Sequence, residues 1–194
     1  MIFQGQAIAS QKPTIVAYLE RRSWVDLGYK AIFFSDGYAY IFKPTRVNEA
    51  GRIRLHALKA RIKVKPFIQL AKIFDTFGFI DIPEELVKPI PDGNDLLVYF
   101  ASPNIYHKVH DYMVENESLN QITDYMRPLI DATAPGASEV PLETVVSELR
   151  IRLKNLPPDL PQHQCLHDFL HMFVDYLSMN LGEIDRRQYK DLLK

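Results

Sequence analysis

Three histidines spaced four residues apart, His163, His167 and His171, are the residues whose types and spacing come closest to a chemical site. On an α-helix this spacing forms a slanted row along one side, and Asp175 continues the row. Two histidines four residues apart can share a metal ion, and a carboxylate can complete the ligand set. No acid occupies the central position of a His-Glu-x-x-His pattern, however. The alternative is that the histidines lie at the edge of the apolar stripe of their helix, half-buried and bonded to a neighbouring helix.

A second histidine pair, His107 and His110, is followed directly by Asp111. Ser102-Pro103 resembles an N-cap with proline at the first helical position, so we expect a helix here, with both histidines off its apolar stripe. With the first row, the pair could form a two-helix metal site of the kind found inside helical bundles. Such sites use Glu and Glu-x-x-His, which this chain lacks at these positions. Exposed polar surface is the simpler interpretation, and we predict no cofactor.

The run from Arg52 to Lys65 is the most regular pattern in the chain, because polar or cationic residues alternate with apolar ones. Period two predicts a β-strand with one wet face. The phase slips once, at Ala57-Leu58, which predicts a bulge or bend. Before the slip, one face carries Arg52, Arg54 and His56; after it, one face carries Lys59, Arg61, Lys63 and Lys65. The predicted binding residues of this cationic strand are Arg52, Arg54, Lys59, Arg61, Lys63 and Lys65.

Charge is divided unequally along the chain. Residues 1–65 hold 12 Lys/Arg against 4 Asp/Glu, whereas residues 66–194 hold 11 against 20. Such a split indicates that the basic part faces an external polyanion, or that the two parts face each other. A third interpretation is a solvated face or a sheet edge protected by lysines against aggregation.

Residues 29–43 predict a β-hairpin, because two apolar runs flank Asp36-Gly37, which favours a type I′ turn. That turn pairs Phe33 with Tyr40. Both faces of the hairpin are apolar, so it is either covered on both sides or presents one as an aromatic platform. A platform could stack nucleic-acid bases beside the cationic strand. The predicted aromatic binding residues are Tyr29, Phe33, Tyr38, Tyr40 and Phe42.

We therefore expect an α+β fold: an antiparallel sheet of four or five strands in the N-terminal half, backed by a helix over residues 67–77, and a helical C-terminal half. A sheet domain over 1–103 and a helical region over 104–194 follow from this, with a linker at 132–141, although the whole could form one integrated domain.

Several function classes lack their sequence signatures. The chain has no Gly-rich phosphate loop, dinucleotide fingerprint, Gly-x-Ser-x-Gly elbow or Cys-x-x-Cys pair. The single cysteine, Cys165, excludes an intrachain disulfide and fits a reducing compartment. The first residues do not resemble a signal peptide, and no stretch is long enough for a membrane span, so we expect a cytoplasmic protein.

The leading functional hypothesis is a non-catalytic binding or accessory protein that contacts a protein partner through the cationic strand. The first alternative is a nucleic-acid-binding protein that uses the same strand and the aromatic hairpin. The second is a metal-dependent hydrolase or sensor at the histidines, so an enzymatic role stays open. The sequence does not determine the oligomeric state.

Overall fold

A computed structural model describes residues 14–21, 28–46, 53–88, 95–112 and 116–180. Within these ranges eight strands form one sheet, and four α-helices lie on its two faces, so the prediction of an α+β fold is confirmed. The strands are β1 Ile15–Arg21, β2 Lys30–Phe34, β3 Tyr38–Arg46, β4 Ile53–Arg61, β5 Glu85–Val87, β6 Asp95–Ala101, β7 Tyr106–Tyr112 and β8 Ser138–Val140. The helices are α1 Val64–Thr76, α2 Glu117–Thr133, α3 Leu142–Lys154 and α4 Pro161–Asn180.

The sheet has the strand order β5-β7-β6-β1-β2-β3-β4-β8, and every neighbouring pair is antiparallel except β5 with β7. Helices α1 and α2 pack on one face and α3 and α4 on the other, which gives three layers and two apolar cores. Because both faces are covered, the central strands are buried along their length, as the unbroken apolar runs of β1, β2 and β6 require. In the α3/α4 core, the rings of Phe42 and Phe173 lie 4.2 Å apart.

The β2–β3 hairpin forms, but its predicted register is wrong by one residue. Ile32 faces Tyr40 and Phe33 faces Ala39, because the loop has three residues rather than two. Gly37 at φ +87° occupies the left-handed position of that loop, and its N–H donates to the carbonyl of Phe34 over 3.0 Å. A shift of one residue moves Tyr40 to the opposite face of the sheet from Phe33.

The predicted bulge in the cationic strand is also wrong. β3 and β4 pair without interruption from Tyr38 opposite Arg61 to Arg46 opposite Ile53. Ala57 packs on the α3/α4 side of β4 and Leu58 on the α1/α2 side, so two adjacent apolar residues fit a regular strand without a bulge. β4 ends at Arg61, and α1 starts at Val64.

Residues 106–112 form strand β7, where the sequence predicted a helix. Ser102 to Ile105 form a tight turn between β6 and β7, in which Ser102 Oγ accepts from the N–H of Ile105 over 3.2 Å. Ser followed by Pro suits the start of a type I turn as well as a helix start, so the local signal was ambiguous. Pairing with β6 along seven residues settles the choice.

The expected linker at 132–141 is regular structure for most of its length. α2 continues to Thr133, a 3₁₀ turn spans Ala134–Gly136, and β8 pairs with β4 at the sheet edge. The sheet also runs across the boundary expected after residue 103, because that boundary falls in the turn between β6 and β7. The C-terminal half therefore supplies two strands to the sheet in addition to three helices.

Candidate functional site

The residues of the predicted cationic strand lie at three places. The uninterrupted register directs Lys59 and Arg61 toward the α3/α4 side of the sheet, whereas His56 lies on the other side, where it is paired with Glu139. Lys63 immediately precedes α1, and Lys65 lies in its first turn. Arg52, and the side chain of Arg54, fall outside the described part of the chain.

Lys59 is neutralised by an acid on helix α3. Its Nζ donates to both carboxylate oxygens of Glu148 on α3, at 2.7 and 2.8 Å. The Tyr40 hydroxyl donates to the same carboxylate over 2.6 Å. Burial acts to raise the pKa of Glu148, but the hydrogen bonds from Lys59 and Tyr40 lower it on balance. Burial of the Tyr40 hydroxyl, together with the neighbouring carboxylate, raises its pKa to about 12.

Two guanidinium groups lie on the ring of Tyr38 at the tip of the β2–β3 hairpin. The Arg61 guanidinium carbon lies 3.6 Å from the ring centroid, and the Arg152 carbon lies 5.2 Å away. Arg61 also donates to the Tyr38 hydroxyl over 2.6 Å and to the carbonyl of Asp36 over 3.3 Å. The carboxylate of Asp36 pairs with Arg152 at 2.8 Å, and no acid among the described residues forms an ion pair with Arg61.

Exposed cations follow one another along the segment from the end of β4 through α1, with Arg61 on the α3/α4 side of the sheet, and we call this segment the basic corner. It contains four cations and one apolar side chain: Arg61, Lys63, Lys65, Lys72 and Ile68. Among the described residues, no acid forms an ion pair with any of these four cations. Ile68 is 43 % exposed, which is unusual for a large apolar residue in this chain. Ile68 lies three residues after Lys65 and four before Lys72, so the three share one side of the helix.

The five predicted aromatic binding residues do not share a surface. Tyr38, Tyr40 and Phe42 belong to the α3/α4 side, and Tyr29 and Phe33 to the α1/α2 side. Phe33, Tyr40 and Phe42 are at most 1 % exposed. The expected stacking platform is therefore part of two cores, since helices cover both faces of the hairpin.

His107 and His110 lie on opposite faces of β7, three residues apart on a strand, and each is engaged. His107 is hydrogen-bonded to the carbonyl of Ile82 over 2.9 Å. The two ring nitrogens of His110 contact Asp95 on β6 at 2.5 Å and Glu85 on β5 at 2.9 Å. The hydrogen bond to Asp95 raises the pKa of His110 despite burial, which acts to lower it, and Glu85 adds to the increase. Since the two acids lie against different ring nitrogens, they flank the ring rather than enclose a metal position.

The histidine row lies on the outer side of α4. His163 and His167 are stacked at 6.4 Å between ring centroids, and His171 pairs with Asp175 at 3.2 Å. Within the described ranges, no three His, Cys, Asp or Glu side chains are arranged to hold a metal ion. The side chains of His167 and His171 are more than half exposed, so they are not bonded into a helix interface.

His167 and His171 instead border a groove between α3 and α4, with a volume of about 320 Å³. Two cations of α3, Arg150 and Lys154, line the same groove. Its floor is aliphatic and consists of Val146, Leu153, Leu170 and Val174. The sequence did not identify this site, because no local pattern indicates that the C-terminal end of α3 lies against the middle of α4.

A buried polar cluster lies at one end of the central strands. Lys30 is 1 % exposed, and its Nζ lies 4.0 Å from the ring centroid of Tyr176. It donates to the carbonyls of Glu20 and Gly28 over 3.1 and 3.3 Å. With Asp95 these side chains border a cavity of about 50 Å³, which has space for a few water molecules. The arrangement satisfies a buried cation.

A comparison with protein-family models finds no family that matches the chain, and comparisons with curated proteins and with solved structures find no match either. Among the helices of the described ranges, none is long and apolar enough to cross a membrane.

Proposed function

We propose that this chain is a non-catalytic binding protein that recognises an acidic segment of a partner protein at the basic corner. The carrying observation is that Arg61, Lys63 and Lys65 are exposed and have no ion pair with another described residue. Lys59, two residues before Arg61, is already neutralised by Glu148. Lys59 is therefore paired within the chain, whereas Arg61, Lys63 and Lys65 form no ion pair with another described residue. These three exposed cations support the binding of an anionic partner.

The composition of the basic corner supports a protein partner. Arginine and aromatic residues are enriched at protein interfaces, and Arg61 stacked on Tyr38 combines the two. The stacking and the two hydrogen bonds of Arg61 hold its guanidinium in one orientation, so less side-chain entropy is lost when a carboxylate binds. Ile68 offers an apolar contact between cations, which a partner segment with both acidic and apolar residues would match.

Nucleic-acid binding by the same residues is the competing hypothesis. It depended on aromatic side chains for base stacking, and Phe33, Tyr40 and Phe42 are buried. Phosphate contacts by the basic corner would remain, with a steep loss of affinity as salt rises. Nuclease and salt therefore distinguish the two hypotheses.

The test is a pull-down from the native extract with tagged wild type, run with and without nuclease, followed by binding measurements on the captured partner. Arg61→Glu with Lys65→Glu should weaken binding at least about tenfold, since juxtaposed like charges cost several kcal/mol. Lys43→Glu with Lys88→Glu is the matched control, because both lysines are exposed and the change in net charge is the same.

A partner that survives nuclease and is lost only with the corner variant supports the proposal. Equal loss in the control would show a general charge effect and remove the basic corner as the site. Material that disappears with nuclease would favour nucleic acid instead.

A further inference from the structure

The groove lies between α3 and α4, and none of the residues that line it belongs to the basic corner. It combines an aliphatic floor with basic side chains on both walls. Val146, Leu170 and Val174 are at most 5 % exposed, and Leu153 is half-buried. Small-molecule sites are concave, mostly apolar and hold a few convergent polar groups, and this groove has those properties.

The charge of the groove is unbalanced. Arg150 and Lys154 form no ion pair with another residue of the described ranges. The acids that precede Arg150 on the same helix, Glu143 and Glu148, do not line the groove. The carboxylate of Glu148 is already bound to Lys59 at 2.7 Å. The two groove cations therefore have no counter-charge from their own helix.

The acids of α4 lie beside the histidines rather than beside the cations. Asp168 is 3.3 Å from His167 Nδ1, and it also accepts from Gln164 over 2.7 Å and from Tyr106 over 2.8 Å. Asp175 is 3.2 Å from His171 Nδ1. In each histidine the carboxylate contacts Nδ1, and both imidazoles border the groove.

We propose that the α3–α4 groove binds a small amphipathic anion, with its carboxylate or phosphate between Arg150 and Lys154 and its hydrocarbon body on the aliphatic floor. Guanidinium and ammonium groups form charge-assisted hydrogen bonds with such anions. A volume of about 320 Å³ lies at the lower end of the range of about 300 to 1,000 Å³ that small-molecule pockets span, which suits a short-chain ligand.

The test uses octanoate and hexyl phosphate as free anions, hexylammonium as the cation of matched chain, and amide NMR shifts as the readout. Saturable shifts with either anion should map to residues 146–154 and 167–174, with hexylammonium giving no saturable shift there. Vesicles with and without anionic phosphatidylglycerol form a separate arm, because a lipid headgroup offers the same chemistry.

Arg150→Gln with Lys154→Gln should weaken anion binding about tenfold, the sum expected from two partly exposed charge contacts. Lys43→Gln with Lys88→Gln removes the same charge elsewhere and should leave affinity unchanged. Leu153→Ser tests the floor independently, since it should reduce the advantage of octanoate over butanoate while all cations remain.

Three results would each overturn the proposal. They are no saturable binding of the anions up to about 10 mM, equal binding of hexylammonium, and amide shifts that map to other residues. Binding only to anionic vesicles would also overturn it, in favour of a lipid surface. Equal loss in the control would mean that the anions respond to net charge and not to this groove.

Discussion

Removal of the Glu148 carboxylate is the sharpest test of the polar contact that joins α3 to strands β3 and β4. Glu148→Ala leaves the Tyr40 hydroxyl without its acceptor in a residue that is 1 % exposed. A buried polar group that loses its partner costs about 1 to 3 kcal/mol. The Lys59–Glu148 pair, with both side chains about 30 % exposed, adds only about 0.5 kcal/mol because solvent screens it.

The two contributions together give a loss of about 2 kcal/mol in the free energy of unfolding, and a fall of about 5 °C in Tm for a chain of this size. Urea titration and calorimetry measure both. Tyr40→Phe provides the matched background, because it removes the hydroxyl and retains the ring. In that background Glu148→Ala should cost about 1.5 kcal/mol less, which is the coupling energy between Tyr40 and Glu148.

The contribution of Glu148 to stability also depends on pH. The pKa of Glu148 is lowered from its ordinary value of 4.5, because hydrogen bonds from Lys59 and Tyr40 outweigh burial. Its contribution is therefore present above pH 4.5 and is lost as the pH falls through the lowered pKa. The difference between wild type and Glu148→Ala should shrink in that range. An equal cost of Glu148→Ala with and without the Tyr40 hydroxyl would refute the assignment.

Two further predictions concern buried or half-buried titrating groups. The hydrogen bond to Asp95 raises the pKa of His110 against the effect of burial, and Glu85 adds to the increase. The stabilisation by protonated His110 is therefore full below about pH 6.5 and is lost as the pH rises through the raised pKa. His110→Asn should therefore cost more unfolding free energy at pH 5.5 than at pH 9, and an equal cost at both would contradict this. Burial raises the pKa of the Cys165 thiol and excludes reagents, so iodoacetamide should modify it only in urea; rapid modification of the native protein would exclude this placement.

Local sequence was sufficient for several elements. The apolar spacing over residues 67–77 predicted α1 within a few residues of its observed bounds, and the alternation that begins at Arg52 predicted β4. These patterns are reliable because each repeats the period of its own backbone over several turns or residues, and a helix packs that face whatever else the chain does.

Elements with two compatible local interpretations were predicted less well. Ser102-Pro103 suits a helix start and a type I turn equally, and Asp36-Gly37 suits loops of two or three residues. In β7 and in the β2–β3 hairpin, pairing with neighbouring strands chose between the options. The predicted aromatic platform does not form for the same reason, because the one-residue difference in register places Phe33 and Tyr40 on opposite faces of the sheet.

The sequence by itself determined that this chain has an α+β fold with a basic beginning and an acidic remainder. Only the tertiary structure decided which charges meet. Lys59 and Glu148 are 89 positions apart, and their contact depends on how α3 packs across β4. The same packing brings Arg150 and Lys154 beside His167 and His171, while Arg61, Lys63 and Lys65 remain without acids from the described elements. Charge composition is a property of the chain, but neutralisation requires distances of a few ångströms, which the packing of the layers sets.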